Sequence, residues 1–222
     1  GKYFIFANFL YIFSLYILNY MKVGIIGSGG REHAICHFIK KSKKVSEIYC
    51  FPGNAGTGEI AINIDINLEN FEEIKEKIIE NGIEYLIIGP EKPLVDGIVD
   101  FFEKNKIKTF GPNKIASKLE GSKIFTKKLC KKYEMPTANF GVFNKPEVAL
   151  KFLKNTNFPG VIKADGLAAG KGVYICEHFE SSEEAVNEIF DGKFGLANEV
   201  LIEEFLRGEE MSYFIISDGT NY

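Results

Sequence analysis

Between Met21 and about residue 120, short apolar strand patterns alternate with amphipathic helical patterns, and this alternation limits the chain to few architectures. The strand patterns cover residues 21–26, 47–51, 60–65, 85–88 and 109–110, and the helical patterns cover residues 31–41, 71–79 and 94–105. Parallel strands need a crossover connection, usually a helix, so this order predicts a parallel sheet. We therefore predict an α/β fold class, with a small doubly wound domain over residues 21–120 whose strand-end loops gather at one edge.

After residue 113 the pattern changes to longer helical runs and hairpin-like strands. Helical patterns cover residues 113–119, 122–133, 146–154 and 181–190, and strand patterns cover residues 139–143, 161–164, 173–176, 200–206 and 209–216. The last two strands are predicted to pair, and Ser181 followed by Glu184 has the capping-box spacing of a helix start. These elements predict an α+β domain over residues 121–222 that is incomplete at its carboxyl end.

A glycine-rich hairpin between two strand patterns carries the clearest chemical signal. Lys163 lies on a β-branched strand, where neighbouring side chains fix its ammonium group. Gly166, Gly170 and Gly172 let backbone amides approach an anion, and Lys171 adds a positive charge beside them. A Walker loop would continue from the lysine into Ser or Thr and a helix, whereas Gly172 and a strand follow here. The hairpin therefore predicts a nucleotide-phosphate site of another kind, and the alternative is a flexible hairpin with solvated lysines.

A second glycine-rich loop, GSGG at residues 27–30, opens the first helical pattern. The glycines and the helix start favour an anion, and the helix is predicted to bury one face made of Ala34, Ile35, Phe38 and Ile39. As a dinucleotide fingerprint the loop is weak, because Glu32 stands where the third glycine of GxGxxG belongs. A dinucleotide-dependent oxidoreductase stays open as an alternative, with Glu47 near the spacing at which an acidic residue holds the ribose.

The charge balance argues against nucleic acid as a partner. The net charge is -3, from 27 basic and 30 acidic side chains, and no segment is strongly basic. The 45% hydrophobic and 26% charged residues are typical of a soluble globular protein. The four cysteines are far apart and form no CxxC pair, so we expect reduced thiols and a cytoplasmic location.

The first twenty residues differ from the rest of the chain. Residues 3–18 are almost entirely apolar, slightly short of the roughly 20 residues that a spanning helix needs, and they lack a secretory cleavage site. The chain begins at Gly1, and a regular strand pattern follows Met21 at once. We interpret residues 1–20 as an apolar extension that is not part of the native protein, with a membrane anchor as the alternative.

Six ordered motifs between Met21 and residue 212 resemble the phosphoribosylamine–glycine ligase family, also called glycinamide ribonucleotide synthetases. The motifs are MKVGIIGSGGREHA at 21–34, PGNAGT at 52–57, GPE at 89–91, LEGSK at 119–123, IKADGLAAGKGV at 162–173 and IEEFL at 202–206. The resemblance implies an ATP-grasp fold. It also implies a ligase that joins 5-phosphoribosylamine to glycine through a glycyl phosphate, with ATP hydrolysed to ADP and phosphate, in purine biosynthesis. Lys92 stands where the family usually has alanine.

The resemblance also implies roles for individual residues. Lys123 and Lys163 would neutralise ATP phosphates, and we take them as the catalytic pair. The residues expected to hold ATP are Lys123, Lys163, Gly166, Gly170, Lys171, Gly172, Glu203, Glu204, Phe205, Leu206 and Glu210. The residues expected to hold phosphoribosylamine are Gly27, Gly29, Gly30, Arg31, Glu32, His33, Asn54, Gly89 and Glu91. Without the resemblance, the carboxylates near residues 203–210 would be interpreted as a solvated charge run.

The resemblance further implies ATP and Mg²⁺ or Mn²⁺ as cofactors, with the metal ligands beyond residue 222. The expected partners are phosphoribosylamine, glycine and ATP, with no nucleic acid and no membrane, and the expected assembly is a monomer. Because the family's metal ligands are not in this sequence, we expect residues 21–222 alone to be inactive. A non-catalytic ATP-binding fragment is therefore a further alternative.

Overall fold

The structure is a computed structural model that describes residues 20–167, 171–195, 199–217 and 220–222. These residues form two compact units; the first ends at Gly121 and the second begins at Ser122. Within the described ranges, no helix has the length and apolar character needed to cross a bilayer. The predicted apolar extension falls on residues that, except for Tyr20, lie outside the described ranges.

The first unit is built on a five-stranded parallel sheet with strand order β3-β2-β1-β4-β5. Its strands are β1 (Met21–Gly27), β2 (Val45–Pro52), β3 (Ile62–Asn63), β4 (Tyr85–Ile88) and β5 (Lys108–Phe110). The predicted α/β class with a parallel sheet is confirmed. Only two residues of the strand predicted over 60–65 pair with β2, so this edge of the sheet is short.

Helices connect these strands, and their bounds correct two predictions. They are α1 (Gly30–Ile39), α2 (Ala55–Gly58), α3 (Phe71–Asn81), α4 (Glu91–Asp96), α5 (Ile98–Lys104) and α6 (Lys118–Gly121). The single helix predicted over 94–105 is broken at Gly97, whose left-handed φ of 99° ends α4 and begins α5. In the helix predicted over 113–119, residues 114–117 form turns, and a helix, α6, begins at Lys118.

Both faces of the parallel sheet are buried, as expected for a doubly wound fold. Ile26 packs with Phe51 and Phe102 on one face, while Ile25 packs with Cys50 on the other. The face predicted for α1 is only partly correct: Ile35 and Ile39 are partly buried against the core, but Phe38 is 68% exposed, and the fully buried residues of α1 are Glu32 and Cys36. The helix is turned this way because the Glu32 carboxylate accepts a hydrogen bond from the loop before it.

The second unit contains a four-stranded antiparallel sheet with strand order β6-β9-β7-β8. Its elements are α7 (Lys123–Lys132), β6 (Phe140–Phe143), α8 (Pro146–Leu153), β7 (Gly160–Ala164), β8 (Val173–Cys176), α9 (Phe179–Phe190) and β9 (Val200–Glu204). Helices α8 and α9 pack on one face of the sheet, where Ile162, Val200 and Ile202 form the core with Leu153 and Ile189. Side chains of the alternate parity, including Lys163 and Glu203, therefore lie on the opposite face.

Two predictions in the second unit are wrong. Helix α9 begins at Phe179 with His178 as its N-cap, and Ser181 lies inside the first turn, where its Oγ donates to the His178 carbonyl at 2.8 Å. Strand β9 ends at Glu204, and residues 209–216 form no strand in the described part of the chain. Because β9 already pairs with β6 on one side and β7 on the other, it has no free edge for the predicted partner.

Replacing Gly97 by alanine tests the break between α4 and α5. A residue with a Cβ pays about 1–2 kcal/mol in the left-handed conformation, and the added Cβ would lie 3.1 Å from the Lys114 side chain. We expect Gly97→Ala to lower the free energy of unfolding in urea by about that amount. Gly30→Ala is the matched control, because Gly30 is helical and nothing lies within 4 Å of an added Cβ. Equal stability of the two variants would contradict this account.

Candidate functional site

In the first unit, the predicted substrate residues meet at the carboxyl edge of the parallel sheet. The loops that follow β1, β2 and β4 contain them, and these three strands are neighbours in the sheet. The chain runs from β1 outward to β2 on one side and returns to β4 on the other. This reversal is the topological switch point at which open α/β sheets bind ligands.

The Glu32 carboxylate lies buried under the first loop. Its Oε2 accepts a hydrogen bond from the Gly29 amide at 2.7 Å, and its Oε1 accepts one from Arg31 Nε at 3.0 Å. A Cβ at Gly27 or Gly89 would lie 2.6 or 2.0 Å from this side chain, so both positions need glycine to make room for it. Glu32, predicted to contact substrate, is enclosed here and holds the loop in place.

The Arg31 guanidinium lies at the surface of this edge between two carboxylates. Its Nη1 donates to Glu91 Oε1 at 2.8 Å, in addition to the bond from its Nε to Glu32. The hydrogen bond to Glu91 raises the pKa of Arg31, and the same bond, with a backbone amide of α4, lowers the pKa of Glu91. Guanidinium has five N–H donors, so Arg31 keeps donors available for an anion.

Asn54 joins the loop after β2 to the loop after β1. Its Nδ2 donates to the carbonyls of Ser28 at 2.8 Å and Gly29 at 3.2 Å, while its Oδ1 caps α2 by accepting from the Thr57 amide. The His33 ring packs against Gly56, where a Cβ would lie 2.7 Å from the ring. The sequence reasoning missed Thr57, although Asn followed three residues later by Thr is a capping signal.

In the second unit, Lys127, Lys163 and Glu203 form what we call the lysine face, on the side of the sheet opposite the core. Glu203 Oε2 lies 2.6 Å from Lys163 Nζ, and Glu203 Oε1 lies 2.8 Å from Lys127 Nζ. The Glu203 side chain is 4% exposed, against 14% for Lys127 and 27% for Lys163. The sequence reasoning missed Lys127, although it follows the predicted Lys123 by one helical turn on the same face of α7.

Lys123 connects α7 to the turn that follows β7. Its Nζ donates to the carbonyls of Ala164 at 3.2 Å and Gly166 at 3.0 Å. Asp165 strengthens this connection, because its carboxylate accepts from Ser122 Oγ at 2.8 Å and from the Ile124 amide at 3.1 Å. Asp165 lies within the IKADG motif, yet the sequence alone assigned it no contact.

The glycine-rich hairpin is described on both sides of residues 168–170, so predicted Gly170 lies outside the described residues. Gly166 and Gly172 both have positive φ, 94° and 80°, a backbone conformation that glycine adopts without strain. The Ala164 amide donates to the Gly172 carbonyl at 2.8 Å and extends the β7–β8 ladder. Lys171 is exposed beside this base.

The strand predicted to hold adenine presents its carboxylates on opposite faces. Glu203 belongs to the lysine face, whereas Glu204 accepts hydrogen bonds from the Asn139 amide at 2.9 Å and Asn139 Nδ2 at 3.0 Å. These bonds lower the pKa of Glu204. Leu206 and Glu210 are exposed, and Phe205 is half-buried. In the described ranges, no group of three or more His, Cys, Asp or Glu side chains could hold a metal.

The structure argues against the dinucleotide alternative. Glu47 lies near the start of β2, at the opposite end of the sheet from the glycine loop that follows β1. Its carboxylate is 2.7 Å from Lys22 Nζ and also accepts a hydrogen bond from the Tyr49 hydroxyl at 2.6 Å. Glu47 therefore cannot hold the ribose of a dinucleotide bound at the glycine loop.

Two domain profiles of one family match the chain from Met21 onward. The profile described as phosphoribosylglycinamide synthetase, N domain, matches residues 21–120, and the profile described as phosphoribosylglycinamide synthetase, ATP-grasp (A) domain, matches residues 121–222. The chain belongs to the phosphoribosylglycinamide synthetase family. The resemblance carried by the six motifs is thus confirmed.

Individual members of the family match over most of this chain. The phosphoribosylamine–glycine ligase of Caldanaerobacter subterraneus is 49% identical over 203 residues, which are 90% of this chain and 49% of that protein. The enzyme of the same name from Clostridium acetobutylicum is 47% identical and covers 90% of this chain and 48% of its own length. The chain therefore spans about half the length of these curated relatives.

Solved structures support the same fold. The phosphoribosylamine–glycine ligase of Thermotoga maritima superposes with a TM-score of 0.69 at 35% identity, over 85% of this chain and 45% of that one. An N5-carboxyaminoimidazole ribonucleotide synthetase solved with ADP superposes with a TM-score of 0.66 at 18% identity, over 86% of this chain and 48% of that one. The second likeness concerns the fold alone.

A substitution at Gly89 tests whether Glu32 determines the shape of the first loop. We expect Gly89→Ala to lower the free energy of unfolding by about 1–3 kcal/mol, because the new methyl group overlaps the buried carboxylate. Glu32→Ala removes that obstacle but leaves the Gly29 amide and Arg31 without their acceptor. The double variant should therefore lose less stability in urea than the sum of the single variants. Additive losses would show that the two positions do not interact.

The Arg31–Glu91 pair predicts a pH dependence. Because the folded pKa of Glu91 is lowered, the pair stabilises the fold above the ordinary glutamate value of about 4.3, and this contribution disappears as pH falls through the lowered pKa. Both side chains are partly exposed, so we expect wild type to exceed Glu91→Gln by less than about 1 kcal/mol at pH 7, and the difference to be smaller at pH 3. Thermal unfolding at both pH values measures this. In an Arg31→Gln background, Glu91→Gln should have little effect at either pH.

Proposed function

We propose that this chain is the ATP-binding portion of a cytoplasmic phosphoribosylamine–glycine ligase. Such a ligase joins 5-phosphoribosylamine and glycine to give glycinamide ribonucleotide, while ATP is converted to ADP and phosphate. The observation that carries the proposal is the lysine face: in a chain 49% identical to a phosphoribosylamine–glycine ligase, Lys163 presents its ammonium on the open side of the ATP-grasp sheet. The glycine-rich turn that follows β7 begins one residue after Ala164.

The chemistry that these residues supply is electrostatic. Transfer of a phosphoryl group to the glycine carboxylate brings together two anions, and a preorganised positive charge lowers the barrier more than a charge that must first be recruited from water. Lys163 would contact the nucleotide phosphates directly. Lys123, whose ammonium is held by the carbonyls of Ala164 and Gly166, would place a second charge at the base of the glycine-rich loop.

The first unit would hold the phosphate of phosphoribosylamine. The first amides of α1 have no partner inside the helix, as at every helix start, and the macrodipole favours an anion there. Arg31 adds a charge with unused donors beside these amides. Glu91, half-exposed on the same edge, would accept a hydrogen bond from the ribose or the amine.

Magnesium is expected from the family, but the carboxylates of the lysine face are not suited to hold it. Glu203, the buried carboxylate on that face, already lies between two ammonium groups. Glu204 faces the opposite side of the sheet and is bound by Asn139. A Mg²⁺ bridging ATP phosphates would need hard oxygen ligands other than these two.

Titration calorimetry with ATP tests the nucleotide site. We expect Lys163→Met to raise the Kd for ATP about tenfold to a hundredfold, because a hydrogen bond from a charged donor contributes about 1.5–3 kcal/mol. Lys145→Met is the matched control, since Lys145 is an exposed lysine that precedes α8 in the same unit. Unchanged ATP affinity of the Lys163 variant, at an unchanged melting temperature, would refute this assignment.

Phosphate release separates the ligase from a non-catalytic ATP-binding protein. Residues 21–222 are supplied with ATP, Mg²⁺, glycine and phosphoribosylamine, and phosphate is measured over time. We expect ATP binding without phosphate release from these residues alone, because the lysine face offers no free carboxylate for the metal. Release that depends on both substrates would place the metal ligands within residues 21–222.

A further inference from the structure

The lysine face contains two positive charges, Lys127 and Lys163, and one negative charge, the Glu203 carboxylate. Glu203 is nearly fully buried, and each of its oxygens lies within 2.8 Å of a different ammonium group. Its Oε1 receives no hydrogen bond of normal geometry from the described residues, so the charge of Lys127 is what stabilises that oxygen. One carboxylate is thus shared by two lysines from different elements, α7 and β7.

The two lysines differ in how firmly they are held. Lys127 is 14% exposed, and its Nζ also contacts Thr137 Oγ1 at 2.5 Å and the Ala138 carbonyl at 3.4 Å. The Phe140 ring lies 5.7 Å from the same ammonium. Lys163 is 27% exposed, and in the described part of the chain its polar contact is Glu203. Lys163 is therefore the lysine that can turn away from the carboxylate, and Lys127 the one that stays.

A lysine that binds a nucleotide phosphate must leave the carboxylate with which it is paired. Removing the partner of a buried charge is strongly unfavourable, and this cost would be subtracted from the affinity for the phosphate. On the lysine face the cost is reduced, because Lys127 remains beside Glu203 after Lys163 has left. Glu203 then loses one of its two counterions and keeps the other.

We propose that Lys127 is a positioning residue: it stays paired with the Glu203 carboxylate, and this allows Lys163 to leave Glu203 and bind the phosphates of ATP. The inference rests on the proposed nucleotide site but assigns Lys127 no contact with the nucleotide. In Lys127→Met, Glu203 keeps Lys163 as its sole counterion, and ATP affinity falls although no ATP contact has been removed. When Glu203→Gln is added, the buried charge disappears, Lys163 is released and the phosphate contribution to ATP binding returns. Any contact that Glu203 makes with adenine affects ATP and adenosine alike and cancels in their comparison.

The experiment compares the affinities for ATP and adenosine by titration calorimetry on the whole chain. Adenosine has no phosphate, so the Kd for adenosine divided by the Kd for ATP reports how much the phosphates contribute to binding. We expect Lys127→Met to lower this ratio about tenfold, equivalent to about 1.4 kcal/mol, with the Kd for adenosine unchanged. Lys127→Met/Glu203→Gln should return this ratio to within about threefold of the wild-type value. Lys128→Met, an exposed lysine on the same helix, is the matched control and should match wild type.

A purely structural role for Lys127 predicts different results. Equal losses of affinity for ATP and adenosine, an unchanged ratio in Lys127→Met, or no recovery in the double variant would each overturn the proposal. Should Lys127→Met fail to fold, Glu203→Gln alone decides: it releases Lys163 and should keep or raise the ratio, whereas a tenfold fall overturns the proposal. Absence of ATP binding by wild type would overturn the nucleotide site and this inference together, and the other outcomes overturn only the inference.

Discussion

A buried carboxylate must be paired, and each unit of this protein is arranged around one such group. Glu32 and Glu203 are the buried carboxylates in the described part of the chain. Glu32 satisfies its oxygens with the Gly29 amide and the Arg31 guanidinium, which fixes the shape of the first glycine loop. Glu203 uses two ammonium groups instead. Because an unpaired buried charge is costly, the elements that carry the partners cannot move independently of the glutamate.

The periodicity of the sequence was sufficient to predict the architecture of the first unit. Strands that are buried on both faces are almost uniformly apolar, and glycine-rich loops mark their ends. The exceptions have local causes. The break at Gly97 depends on one left-handed residue that a helical pattern does not reveal. The orientation of α1 depends on a hydrogen bond that the Glu32 carboxylate accepts from the Gly29 amide of the preceding loop, and an acidic residue is usually assigned to the solvent face.

The predicted substrate residues of the first unit come together at one edge of its sheet, but their contacts were less predictable. Gly27 and Gly89 were predicted to hold phosphoribosylamine, whereas the side chain that occupies the space beside both is Glu32. The spacing of Lys127 from Lys123 indicates that both lie on one face of α7, but it does not reveal the partner of Lys127, because Glu203 is distant in sequence. The prediction of a strand over 209–216 was wrong for a similar reason. Its expected partner, β9, is already paired on both edges, and this pairing depends on strands that are distant in sequence.

The two adjacent glutamates of β9 have a further consequence for how the antiparallel sheet assembles. Glu203 needs the ammonium groups on one face, and Glu204 needs the Asn139 amides on the other. A slip of β9 by one residue would turn Glu203 toward the apolar core formed with α8 and α9 and away from its two ammonium groups, and it would turn Glu204 away from the Asn139 amides. The central strand can therefore join its neighbours in a single register, so the same charges that we assign to nucleotide binding also protect the sheet against mispairing.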